Sequence, residues 1–240
     1  MAFLRRIRDY IEREMFLNEL YDDARNLDHV LLAKRLELLN NIATPLFRDI
    51  GLNHWNGKYQ WYSDFNSEGI KHVIEFNLLK GFSGGFTYGN CYNFVPTFSG
   101  KKLIHHRTEK STKLIYYKRS DRWQNAIETH RPINPDRINT ANAKKFQKTL
   151  KYVLKKNITP FNTWFKQNST IDDNILSLKK ELLHPSQEAG IRIISDEYIL
   201  AFLYKQKEDL TNAEHWMQEH FKKGVHNDIQ MELLMKRLKN

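Results

Sequence analysis

The chain has few of the residues and patterns that would name a chemistry. It holds a single cysteine, Cys91, in 240 residues. No internal disulfide can form, which suits a reducing cytoplasm. No apolar run approaches the roughly 20 residues needed to cross a bilayer. The opening MAFLRRIRDY carries charges throughout and has no apolar segment of a secretory signal. A cytoplasmic protein without a membrane partner is expected. Gly81, Gly84, Gly85 and Gly89 lack both the spacing and the Lys-Ser/Thr ending of a phosphate loop. There is no Gly-x-Ser-x-Gly elbow, low-complexity tract or internal repeat.

Metal-ligand spacing is also missing. His215 and His220 are five apart, which places them about 140° apart around a helix. His105 and His106 are adjacent and point apart if extended. His72 falls on an apolar strand face and reads as a satisfied core histidine. A restriction-type nuclease would need an Asp on one strand and Glu-x-Lys on the next. Asp64 and Glu75 fall on consecutive expected strands, but position 77 is Asn. That minority reading fails at its most specific residue. No catalytic residue and no cofactor is assigned, and the protein reads as more non-enzymatic than enzymatic. Cys91, among strand aromatics with no base beside it, reads as a buried, inert thiol.

What is present is first a sheet. Ile70, His72, Ile74, Phe76 and Leu78 alternate with Lys71, Val73, Glu75 and Asn77, the period of a half-buried strand. A turn at Lys80-Gly81 follows. Phe82, Phe86, Tyr88, Tyr92 and Phe94 then share parity, and Gly84-Gly85 marks a bulge or a close backbone approach. Tyr59, Trp61 and Phe65 alternate before this unit, and Lys113–Lys118 gives a strand after it. Twelve of the thirty aromatics lie between Trp55 and Phe98. Such rings are either core beneath helices or a stacking platform for bases. Core is the expectation, because the chain has helices on both sides of the sheet that need a face to cover.

Helical spacing predicts an amphipathic helix over residues 2–24 and a second from an Asp28 cap. Pro45 interrupts the second or restarts it from Thr44, and Gly51 ends it. Residues 99–112 read as a polar connection with a short extended piece at Leu103-Ile104. A short helical piece is expected at Asp121-Arg122-Trp123 and a proline loop from His130 to Arg137. A helix starts near Thr140, another at Thr159-Pro160, and a helical pattern from Ile171 to Leu183 stops before His184-Pro185. Three short helices fill Ser195–Asn240. Thr211 with Glu214 matches a capping box, Gly224 a C-terminal glycine, and Asn227 or Asp228 a last cap. The first two resemble one tetratricopeptide-type hairpin, with Ala201 and Ala213 at the close approach.

Charge is the second positive signal. The net charge is +10, yet residues 97–157 hold sixteen Lys/Arg against four Asp/Glu, so the remaining chain is close to balanced. Lys144, Lys148, Lys151 and Lys155 recur at spacings of four, three and four. At 100° per residue they make one stripe opposite Phe146, Leu150, Val153 and Leu154. No acidic residue lies between Ile138 and Ile171. Two readings stand: a solvated surface helix, or a face for phosphates or an acidic partner. Lys101, Lys102, Arg107, Lys118 and Arg119 form a second basic set.

The order of parts also carries a resemblance. A helix ends at Pro45-Leu46-Phe47 and Ile50-Gly51-Leu52. Strands follow with Val73-Ile74-Glu75-Phe76-Asn77 and Phe82 to Tyr88, and Ser195-Asp196-Glu197-Tyr198 leads into the helical hairpin. This resembles a broad, uncharacterised bacterial domain family, some of whose members look like immunity or defence-locus proteins. The resemblance implies a non-enzymatic bacterial protein and brings no site residues.

These observations predict an α+β fold: an antiparallel sheet of about four strands flanked by helices and closed by a C-terminal helical subdomain. The division expected is 1–157 and 158–240, packing separately or as one domain. The function expected is a binding or accessory protein of a bacterial defence or conflict system. Its basic face would engage nucleic acid or an acidic protein surface. The alternative is an immunity-type or scaffold protein that meets a protein partner through the C-terminal helices.

Overall fold

The computed structural model describes residues 7, 10, 11, 30–79, 82–100, 102–121, 136–184 and 194–239. In chain order the elements are α1 (Leu32–Arg48), β1 (His54–Trp55), β2 (Gln60–Tyr62), β3 (Ile70–Leu79), β4 (Ser83–Tyr92), β5 (Thr97–Ser99), β6 (Lys102–Ile104), β7 (Tyr116–Arg119), β8 (Ile138–Asn139), α2 (Ala143–Gln167), α3 (Ile171–Leu183), α4 (Asp196–Gln206), α5 (Leu210–Phe221) and α6 (Asp228–Lys239). The fold is α+β. Its antiparallel sheet runs β1-β2-β3-β4-β7, with β8 pairing the start of β4 and β5-β6 forming a separate ribbon. Most of the expected helix over 2–24, the Lys80-Gly81 turn, the helical piece after Asp121 and most of the 130–137 loop lie outside the described residues.

β3 and β4 pair without a slip from Ile70↔Tyr92 to Leu79↔Ser83. The glycine pair therefore makes no bulge. A Cβ on Gly84 would sit 2.5 Å from the Phe76 ring, so glycine lets that ring lean across the neighbouring strand. The register puts Trp61, Ile74, Tyr88 and Lys118 in one transverse row, on the same face as Phe76 and Phe86. Helices cover this face. Phe47 of α1 meets Trp61 edge-on at 5.0 Å and Phe86 at 5.6 Å. Phe146 and Phe161 of α2 reach Phe76 and Phe86 at 5.9 and 6.3 Å. Trp61, Ile74, Phe76 and Phe86 are at most 1% exposed. These rings are core, closed to bases.

Two prolines behave differently from their sequence signals. Pro45 lies inside α1, which runs unbroken, and Thr44 starts nothing: its buried hydroxyl accepts from Trp61 Nε1 at 2.8 Å. Pro160 lies inside α2, so no new helix begins at Thr159. A proline here removes one backbone hydrogen bond, but Phe146, Leu150, Val153, Leu154, Phe161 and Phe165 keep both halves on one apolar face, all buried. Packing of that face outweighs the lost bond. Positions 157 and 158 fall mid-helix, and one hydrophobic core runs from Phe47 through α2 to Leu238.

A buried polar cluster ties α2 and α3 to the sheet. Asn90 Nδ2 donates to Asn168 O and Asn174 Oδ1, each at 2.8 Å, and Tyr92 OH donates to Asn174 Oδ1 at 2.6 Å. His72 Nδ1 meets Asn90 Oδ1 at 2.8 Å, and the ring stacks on Phe165 at 4.6 Å. His72 is the satisfied histidine its position implied, with its pKa pushed down by burial.

The C-terminal helices form the expected hairpin and cap. Ala201 and Ala213 are both fully buried where α4 and α5 approach. The α5 cap is Asp209, which accepts from Asn212 N at 3.1 Å, rather than Thr211. Asn227 caps α6: Gln230 N donates to its Oδ1 at 2.9 Å, and Asn227 N donates back to Gln230 Oε1 at 3.3 Å. That is a reciprocal box with glutamine at the third position.

Candidate functional site

The basic segment is distributed by the fold into three places. α2 contains seven lysines and no acidic residue in 25 positions. Its apolar stripe faces α1 and the sheet, so Lys144, Lys151 and Lys155 stand exposed and Lys148 half-exposed on the opposite side. Among the described residues, Lys144, Lys151 and Lys155 have no acidic partner. Lys156, one position on, turns to the buried Asp136 and forms an ion pair. The stripe is about 16 Å long, from eleven rises of about 1.5 Å.

Lys118 and Arg119, on β7, are already paired. Lys118 lies on the helix-covered face of the sheet, 3.1 Å from Glu181 of α3. Arg119 points the other way and donates from Nε and Nη2 to the two oxygens of Asp121 at 2.9 and 3.1 Å. Asp121 also accepts from Arg137 Nε at 3.0 Å. Pairs of this kind leave little charge for an outside partner.

Lys102 and Arg107 are exposed, on β6 and just after it; Lys101 lies outside the described residues. Arg107 opens into a pocket beside Phe94, two residues beyond the end of β4. The α2 stripe begins at the other end of that strand: Thr149 Oγ1 accepts from Asn139 N, and Asn139 pairs with Ser83. Ten residues of β4 separate the two sets by about 30 Å along the sheet. The fold does not gather the eight described basic residues of the two sets onto one surface.

The sheet face away from the helices offers a different surface. Gln60, Glu75, Thr87 and Arg119 stand in register across four strands and line an open cleft of about 740 Å³ with Lys113 and Tyr117. Its polar groups largely satisfy one another: Gln60 Nε2 donates to Glu75 Oε2 at 2.7 Å, and Asn77 Nδ2 to Thr87 Oγ1 at 2.8 Å. Asp64 lies in the loop after β2, not on a strand, and shares a 2.8 Å hydrogen bond with His54. Among the described residues, no three His, Cys, Asp or Glu side chains are placed to hold a metal ion.

Further along this face a small second core forms from Tyr62, Val73 and Cys91, with Phe65 and Leu114 against it. Lys71 is fully buried here. Its ammonium donates to the carbonyls of Glu109 at 2.7 Å and Thr108 at 3.3 Å. It also lies 4.1 Å from the Phe65 ring centroid and 5.0 Å from that of Tyr62. Burial pushes the Cys91 thiol up to about 11, so it is protonated and unreactive at neutral pH.

Family models, curated proteins and solved structures give no match to this chain. Among the described residues, no helix is long and apolar enough to cross a membrane.

Proposed function

We propose that this protein binds a polyanion, nucleic acid first among candidates, through the outer face of α2. The setting proposed is a bacterial defence system, and the role is binding, with no reaction catalysed. The observation that carries the reading is the composition of α2: seven lysines and no acidic residue on a helix whose other face is core. A merely solvated helix gains from interspersed Glu at i,i+4, whereas lysines at Lys144/Lys148 and Lys151/Lys155 repel each other by a few tenths of a kcal/mol per pair. A row of phosphates relieves that repulsion. Contacts of this type follow the backbone of the nucleic acid and carry no sequence information.

Fluorescence anisotropy with labelled duplex and single-stranded DNA and RNA, across a salt series, tests it. Replacing Lys144, Lys148, Lys151 and Lys155 together by Gln should weaken binding. It should also flatten the log-log salt slope by up to about four units on duplex, at about 0.9 per phosphate. Equal slopes for both proteins would remove α2 from the interface.

A second reading has its own support. Ile229 is 71% and Leu233 39% exposed on α6, one turn apart, with Val225 exposed just before them. An apolar strip on the terminal helix suits a protein partner, as in an immunity or scaffold role. Recovery of one stoichiometric protein, unaffected by nuclease and lost in Ile229→Glu, would favour it over the polyanion.

A further inference from the structure

Arg107, Lys205 and Arg237 come from three distant parts of the chain and line one pocket of about 310 Å³. Arg107 follows β6, while Lys205 and Arg237 lie in the last turns of α4 and α6. Phe94 and Phe202 supply an apolar wall, and Gln206 an amide. Lys205 already serves the fold, because its ammonium donates to the Arg237 carbonyl at the end of α6. Among the described residues, the two guanidinium groups make no such bond. Among the described residues, no carboxylate lines the pocket and none pairs with Arg107 or Arg237.

The adjacent His105 registers the same imbalance. Its Nδ1 is buried with no hydrogen-bond partner among the described residues. Burial holds its pKa down to about 4, helped by Arg237, Arg107, His106 and Lys205, every one of them cationic when charged. Cations gathered without a counter-charge repel one another, and proteins do not often leave such a cluster around a concave site.

We propose that this pocket binds a compact phosphate group, gripped by the Arg107 and Arg237 guanidiniums with Lys205 behind them. Planar guanidinium forks present paired N–H donors that match phosphate oxygens, and a few hundred Å³ is the scale of small-ligand sites. The site is separate from α2 and does not depend on the nucleic-acid reading. The phosphate could be carried by a soluble small molecule or by a lipid headgroup.

The full chain should be titrated calorimetrically with inorganic pyrophosphate at fixed ionic strength. A second arm measures co-sedimentation with phosphatidylcholine vesicles, with and without phosphatidic acid. Arg107→Gln, Arg237→Gln and the α2 quadruple variant run alongside, with folding checked by circular dichroism. Arg237→Lys keeps the charge but loses the fork, and guards against a misfolded glutamine variant. The expected result is saturable pyrophosphate binding in the wild type and the α2 variant. Each Arg→Gln change should weaken it at least about tenfold, the loss of one charge-assisted hydrogen bond, and Arg237→Lys should fall between. Pyrophosphate should also raise the wild-type Tm by roughly 2–4 °C. Binding to phosphatidic-acid vesicles alone, lost in both Arg→Gln variants, would support the site and assign the phosphate to a headgroup. Binding to neither probe, or equal binding in wild type and both Arg→Gln variants, overturns the proposal. Binding lost only in the α2 variant overturns it too, while leaving the nucleic-acid reading intact.

Discussion

The two faces of the central sheet are built from the same strands and behave as opposites. On one, Trp61, Ile74, Phe76 and Phe86 are sealed under α1 and α2. On the other, the next residues along each strand, Gln60, Glu75 and Thr87, line an open cleft and bond to one another or to their neighbours. A shift of one residue along a strand exchanges core for cleft. The first face carries most of the buried area that holds the fold together, and the second adds only the small core of Tyr62, Val73 and Cys91. Outside that small core the second face is free to vary in charge and shape.

The largest expected effect tests that division directly. Trp61→Ala should cost about 3–5 kcal/mol in urea unfolding, combining a cavity with the loss of the Thr44 hydrogen bond. Thr87→Ala on the cleft side should cost about 1 kcal/mol or less, the value of one hydrogen bond to Asn77. Similar losses for the two would mean that the cleft is structurally essential and the comparison false.

A middle-sized effect should come from the polar cluster on the covered face. Asn174→Ala leaves Asn90 Nδ2 and Tyr92 OH without their shared acceptor. Stranding buried donors costs about 1–3 kcal/mol. The matching cleft change, Glu75→Gln, leaves the group partly exposed and should lie within about 0.5 kcal/mol of wild type. Equal denaturation midpoints for Asn174→Ala and wild type would show that water replaces the missing oxygen.

Acid gives the smallest lever for each group. His72 on the covered face is held below its ordinary pKa by burial, and His220 in the helical layer is held down to about 4, also chiefly by burial. Their folded pKa values lie below the unfolded value near 6.5, so the unfolded chain takes up more protons in that interval. Stability from these groups is present above about pH 6.5 and drains as pH falls toward 4. Melting curves should show Tm falling by roughly a few degrees over that range. A flat profile would mean that both rings stay solvated enough to protonate freely in the folded state.

Much of this architecture was legible in the residues. Alternation at Ile70–Leu78 marks β3 and its covered face, Ala201 and Ala213 mark a close helix approach, and the lysine spacing places α2's outer stripe. What was hidden depends on distant parts of the chain. Pro45 and Pro160 break a helix by local rules, but the packing of α1 and α2 carries both through. Asp209 takes the cap that Thr211 promised, because the chain leaves α4 by a tight turn in which Glu208 has a positive φ. Lys118 looked like free surface charge because its partner Glu181 lies far along the chain, whereas Arg119 pairs with Asp121 only two residues on, a contact that alternation along a strand did not reveal. The Arg107, Lys205 and Arg237 pocket has no sequence signature at all. Its members are separated by roughly 100 and 30 positions, and only the docking of α4 and α6 beside β6 assembles them.

The asparagine cluster has a consequence in time as well as in energy. Its bonds join residues 78, 82 and 84 positions apart. A contact across that much chain pays its loop-closure entropy before it returns any enthalpy. The β3–β4 hairpin, closed by a three-residue connection, can form early and by itself. Asn174 can find Asn90 only once the hairpin exists and α3 has arrived. In a kinetic experiment, truncating Asn174 should therefore speed unfolding and leave the folding rate nearly unchanged. The helices would be the last pieces laid onto a sheet that already has its register.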